Sequence, residues 1–148
     1  MSRNSKLAPT EVFLSHSSRN AAFTSKLANV LFRHNVKTFF SKQHIRGAQE
    51  WHAELGAALK RCDWFLVVLS PQAVRSTWVK RELVYALQQP RYNERIIPVL
   101  YKNCDVEQFS WTLSGFQYVD FRPGFDEGCE QLFDIWKLKY RPLVHRLH

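Results

Sequence analysis

The sequence predicts an α/β protein, and three observations carry that reading. Short apolar runs alternate with amphipathic ones, the pattern of a parallel sheet flanked by helices. The run "WFLVVLS", Trp64 to Ser70, is apolar at successive positions, as a strand buried on both faces must be. The amphipathic runs place apolar residues three and four apart, the period of a helix that covers a sheet with one side.

In chain order, "EVFLSHS" is a strand rich in β-forming residues that ends in small polar ones. "NAAFTSKLANVLFRHN" sets Phe23, Leu27, Val30 and Leu31 at helical spacing, with Asn20 placed to serve as N-cap. "VKTFFS" reads as the second strand, followed by the loop "KQHIRGAQE" and a helix over "WHAELGAALKRC". "WFLVVLS" is the third strand, and "PQAVRST" leads from it into the helix "STWVKRELVYAL". In the fourth strand, "RIIPVLY", Pro98 has no N–H for a ladder, which points to an edge, a bulge or an irregular start. "YVDF" makes a short fifth strand and "FDEGCEQLFDIWKLKY" a final helix.

Five β/α units of this kind predict a flavodoxin-like, doubly wound five-stranded parallel sheet. The domain is expected over residues 11–141, between an N-terminal extension (1–10) and a basic C-terminal tail (142–148). Ligands of such sheets bind beyond the carboxyl ends of the strands, where the winding reverses. That directs attention to "SHSS" after strand one, "SKQHIRG" after strand two and "SPQ" after strand three. The helix after strand three carries Trp78 and Glu82, which at i and i+4 point the same way. Val79, Leu83 and Ala86 form its core-facing stripe, and Glu82 lies about 60° from Val79, a charge at the stripe's edge.

A chain of 148 residues suits one domain with a single core. Cys62, Cys104 and Cys129 are odd in number and form no CxxC pair, so neither a disulfide framework nor a zinc or other metal site is indicated. The N-terminus lacks the apolar core of roughly 7–15 residues of a signal peptide, and no run approaches the roughly 20 needed to span a bilayer. A cytoplasmic protein with no membrane partner is expected. The net charge is +8 and the pI near 9.7, with Lys137, Lys139, Arg141 and Arg146 in the last helix and tail. No RNA-binding signature or zinc-finger spacing accompanies these residues. They read as a solvated basic face, or one attracting anionic small molecules, rather than a nucleic-acid site.

Three motifs in order carry a family resemblance: "VFLSHSS" ending strand one, "HIRG" after strand two, and "VVLSPQAVRSTWVKREL" with its S-x-W-x-x-x-E-L pattern at Ser76, Trp78, Glu82 and Leu83. Together they resemble a Toll/interleukin receptor (TIR) domain of bacterial type, from about Glu11 to Tyr140. The resemblance implies either a self-associating scaffold or an enzyme that breaks the nicotinamide–ribose bond of NAD. In the enzymatic members the Glu matched here by Glu82 is catalytic. The expected activity is NAD glycohydrolase or ADP-ribosyl cyclase, with NAD as substrate and no cofactor.

One ionised carboxylate suits that chemistry, since it can stabilise an oxocarbenium-like ribose while a neutral nicotinamide departs. Trp78 would offer a stacking surface. Ser15, His16, Ser17 and Ser41 are the further candidates for substrate binding, although strand-end polar residues also serve as caps and turns. Ile45, Arg46 and Gly47 match the family's mobile loop, which serves substrate or a neighbouring subunit. Two departures from the family pattern bear on NAD binding. Ser41 stands where many enzymatic members carry an acidic residue, and one residue rather than two separates Ile45 from Gly47.

The expected partners are other TIR domains, in a homo-oligomer or filament, and a sensor or effector protein. The implied setting is bacterial antiphage defence, an innate immunity that depletes NAD or makes a nucleotide signal. The alternatives are a noncatalytic TIR scaffold and a sensor that binds NAD-like ligands without cleaving them.

Overall fold

The computed structural model describes residues 7–40 and 48–143, the side chains of 48–52 excepted. Ser41, Ile45, Arg46, Gly47 and Arg146 lie outside the described residues. Strands β1 (Glu11–Ser15), β2 (Lys37–Phe40), β3 (Trp64–Leu69), β4 (Ile96–Leu100) and β5 (Val119–Asp120) form one parallel sheet in the order β2-β1-β3-β4-β5. The expected five-stranded, doubly wound architecture is therefore present, with the all-apolar β3 at its centre. The winding reverses between β1 and β3.

Side chains alternate faces along a strand, and this parity divides the core in two. On one face Val12, Leu14, Leu66, Val68 and Val99 pack against α1 (Ala21–Arg33) and α6 (Phe125–Ile135). On the other, Phe13, Phe65, Val67 and Leu69 pack against α2 (Ala48–Arg61), α3 (Pro71–Val74), α4 (Thr77–Leu87) and α5 (Val106–Phe109). Each such side chain contributes roughly 1.5–3 kcal/mol by leaving water.

Several local features differ from the sequence reading for identifiable reasons. Helix α2 starts at Ala48, three residues before the expected Trp51. Pro71–Val74 is a one-turn helix, capped by Ser70 Oγ accepting from the Ala73 N–H at 3.0 Å, before Ser76 caps α4. Helix α6 stops at Ile135, short of Tyr140. There Lys137 is left-handed (φ 58°), the Leu138 N–H bonds the Phe133 carbonyl at 2.9 Å, and Leu138 and Tyr140 fold back onto the core. Lys137 and Lys139 thus follow the last helix instead of riding on it. The segment is tied to α1 by the Arg141 N–H, which donates to His34 Nε2 at 3.1 Å.

Pro98 sits neither on an edge strand nor at an irregular start, since it pairs in register with Val67. The Arg95 carbonyl and the Tyr101 N–H bond toward β3, whereas the Leu100 carbonyl bonds toward β5. Pro98 shares the parity of Leu100, so its missing N–H faces β5, whose pairing begins only at Val99. Among the described residues no helix is long and apolar enough to cross a membrane.

Two stability outcomes follow. A Cβ at Gly128 would lie 2.3 Å from the Phe121 ring, so Gly128→Ala is expected to destabilise by about 1–3 kcal/mol in urea unfolding despite alanine's better helix propensity. Burial pushes the Cys62 and Cys129 thiols up from an ordinary value of 9.0 to about 12. The folded protein therefore keeps protons that the unfolded chain releases, and stability present below pH 9 is lost as the pH rises toward 12. Urea midpoints at about pH 8 and pH 10 measure the fall, which is smaller in a Cys62→Ala, Cys129→Ala chain.

Candidate active site

Strand parity also decides what stands at the carboxyl end of β1. Ser15 follows Phe13 by two residues, so its side chain leaves the sheet toward α4. Its Oγ donates a 2.5 Å hydrogen bond to Oε1 of Glu82. Ser15 is 0% exposed and Glu82 2%. Helix α4 brings the carboxylate there because Ser76 Oγ accepts from the Val79 N–H at 3.1 Å, fixing where the helix begins, while Val79, Leu83 and Ala86 seat it on the sheet. Sequence spacing puts Glu82 at the margin of the apolar stripe, yet the structure buries it, because what faces it is a strand-end hydroxyl and not water.

Beside this pair lies a cleft of about 230 Å³. Trp78, Arg81, Glu82 and Tyr85 of α4 line one side, and Leu55, Gly56 and Leu59 of α2 the other. A Cβ at Gly56 would meet nothing within 4 Å, so the wall there is open. Trp78 is half-buried, and its expected shared direction with Glu82 is what places both in one cleft. Arg81 and Tyr85 escaped the sequence reading. They follow Trp78 by three and seven residues, so helical spacing carried the signal. The α2 wall could not be read, since it depends on which helix packs beside α4.

The remaining strand-end candidates make the following contacts. Among the described residues, His16 and Ser17 are not in the lining of that cleft. His16 is buried and meets the Phe40 ring edge-on at 5.9 Å. Burial pushes its pKa below the ordinary value against the opposing pull of the Leu14 carbonyl. Ser17 Oγ accepts from the Arg19 N–H at 3.2 Å and caps a short 3₁₀ turn, Ser18–Asn20. That turn moves Asn20 away from side-chain capping of α1. Its Oδ1 accepts a 2.6 Å hydrogen bond from Ser70 Oγ, joining the start of α1 to the end of β3 at the point where the winding reverses.

A family model described as a TIR domain matches residues 12–133. The chain belongs to the TIR domain family. This TIR domain is 30% identical over 94 residues to the TMV resistance protein N of Nicotiana glutinosa, across 62% of the chain. The chain spans only 8% of that protein's length. It superposes on the TIR domain of the Toll-related receptor TRR-2 from Hydra magnipapillata with a TM-score of 0.67 at 21% identity, covering 85% of this chain and 97% of that one. A prokaryotic SEFIR domain gives 0.64 at 16% identity, with 93% and 99% covered. The TIR domains of the activated Roq1 resistosome, which recognises the pathogen effector XopQ, give 0.53 at 21%, with 88% and 85% covered. These structural likenesses establish the fold.

The junction of α1 and β3 is open to a direct test. Asn20→Ala would leave the fully buried Ser70 hydroxyl without its acceptor, and a loss of about 1–3 kcal/mol is expected in urea unfolding.

Proposed function

We propose that this TIR domain cleaves NAD between nicotinamide and ribose, giving nicotinamide and either ADP-ribose or a cyclic ADP-ribose isomer. The observation that carries the reading is the carboxylate of Glu82, held at the β1/β3 switch point by Ser15 and lining a cleft with Trp78. A carboxylate shielded from water interacts strongly with a cation that develops beside it.

In this chemistry the C1′–N1 bond breaks and both its electrons leave with nicotinamide, whose ring nitrogen thereby loses its positive charge. The charge passes to the ribose, and Glu82 stabilises it. Water then adds at C1′ and releases a proton, or an adenine nitrogen closes the ring. Trp78 supplies a flat face for nicotinamide or adenine, and the Arg81 cation on the same lining suits the pyrophosphate. A cleft of about 230 Å³ is below the roughly 300–1,000 Å³ usual for small-molecule sites, so it suits one end of the dinucleotide. The remainder needs walls beyond this cleft, and a neighbouring TIR domain in a self-associated assembly is the proposed source. The resistance protein of Nicotiana glutinosa and the Roq1 resistosome support a setting in defence against a pathogen.

The rival function is a noncatalytic TIR scaffold, favoured by the 2% exposure of Glu82, since a carboxylate closed off this far also suits a purely structural part. Nicotinamide release separates the two. The wild-type chain at high concentration is expected to release nicotinamide from NAD, and the near-isosteric Glu82→Gln to lower the rate at least roughly 100-fold while keeping the thermal midpoint within a few degrees. No release by wild type under conditions that force self-association assigns the scaffold.

A further inference from the structure

We infer that Ser15 is a positioning residue for the proposed reaction, its hydroxyl orienting the Glu82 carboxylate without touching substrate. The inference rests on the NAD-cleaving reading of the same site. The Ser15–Glu82 separation of 2.5 Å lies at the short end of the range for a hydroxyl donating to an anionic oxygen. Ser15 is 0% exposed, and its donor is already committed to Oε1, so it has neither surface nor proton to offer a ligand in the cleft. The strand-end serine that the sequence suggested as a substrate contact is assigned to the carboxylate instead.

The mounting of the two groups supports a positioning role. Ser15 is the last residue of β1 and pairs in register with Val67 of the central strand, so its Cα is held by the sheet. Glu82 reaches its place on a flexible side chain from a separate helix, and such a side chain samples several rotamers unless a fixed partner selects one. A donor on a rigid strand is such a partner, and functional groups supported in this way hold their geometry best. Displacements of about 1 Å at a reacting centre are enough to lower rates by roughly 100-fold, so the rotamer bears on turnover more than on binding.

The test compares steady-state nicotinamide release by the wild-type chain, Ser15→Ala, Ser15→Thr and Ser15→Cys, with thermal midpoints recorded for each. Ser15→Ala is expected to lower kcat roughly tenfold or more, with KM within about twofold of wild type. Ser15→Thr keeps the hydroxyl and is expected to recover most of kcat. Ser15→Cys, a weaker donor of similar shape, falls between Ala and wild type and carries the test if another variant does not fold. A folded Ser15→Ala or Ser15→Cys with wild-type kcat overturns the inference. So does a rise in KM at unchanged kcat, which is the mark of a substrate contact, and so does a folded Ser15→Thr as slow as Ser15→Ala. Loss of turnover in Glu82→Gln with none in Ser15→Ala would sink the positioning role alone, whereas no release by wild type sinks it together with the NAD-cleaving reading.

Discussion

The hydrogen bond from Ser15 to Glu82 joins the end of β1 to the middle of α4 across 67 residues of chain, and much of the carboxyl edge of the sheet is organised around it. A carboxyl group taken almost wholly out of water needs hydrogen-bond partners to offset what it loses there. The donor has to be small, polar and fixed, which is what a serine at the end of a buried strand provides. Its neighbours are constrained in turn. Ser76 sets the start of α4, so that Glu82 falls opposite the strand end, and Val79 and Leu83 press the same helix against Phe65 and Val67.

The same edge is stitched a second time through Ser70 and Asn20. Ser70 accepts from the N–H of Ala73 to start α3 and donates to Asn20, so one hydroxyl serves the turn after β3 and the beginning of α1. With Ser15 on one side of the sheet and Asn20 on the other, the switch point is bound to helices of both layers. Of these anchors Ser15 is a sheet residue, paired with Val67 of β3, and a functional group supported from such a position is held more precisely than one on a loop.

The apolar α2 wall and the polar α4 wall meet in a small cleft, and this contrast sets what can be bound there. Leu55 and Leu59 favour a flat uncharged ring, Arg81 favours an anionic group, and Glu82 favours a developing cation. The basic residues that follow α6 are a separate matter. The chain returns there to α1 through Tyr140, which donates to Asp126 at 2.6 Å, and through Arg141, whose N–H bonds His34. The positive charge near the C-terminal end is therefore anchored to the face of the sheet opposite α4.

Much of this architecture was written in local sequence. Hydrophobic period alone set the number and type of strands, the central place of "WFLVVLS" and the shared direction of Trp78 and Glu82, because those properties depend on residues a few positions apart. Local pattern ran out where ends and contacts were concerned. The stop of α6 at Ile135 depends on Leu138 and Tyr140 finding the core, and the tolerance of Pro98 depends on β5 being too short to need its N–H. The depth at which Glu82 lies was likewise illegible, since a charge at a stripe's edge meets either water or a partner according to what the sheet brings opposite it. The sequence by itself determined the α/β class, the order of the strands and long helices, and the helix face that carries the carboxylate. Only the tertiary structure decided that Ser15, 67 residues away, would meet that carboxylate and that α2 would wall the cleft, because both depend on which strand and helix pack against α4.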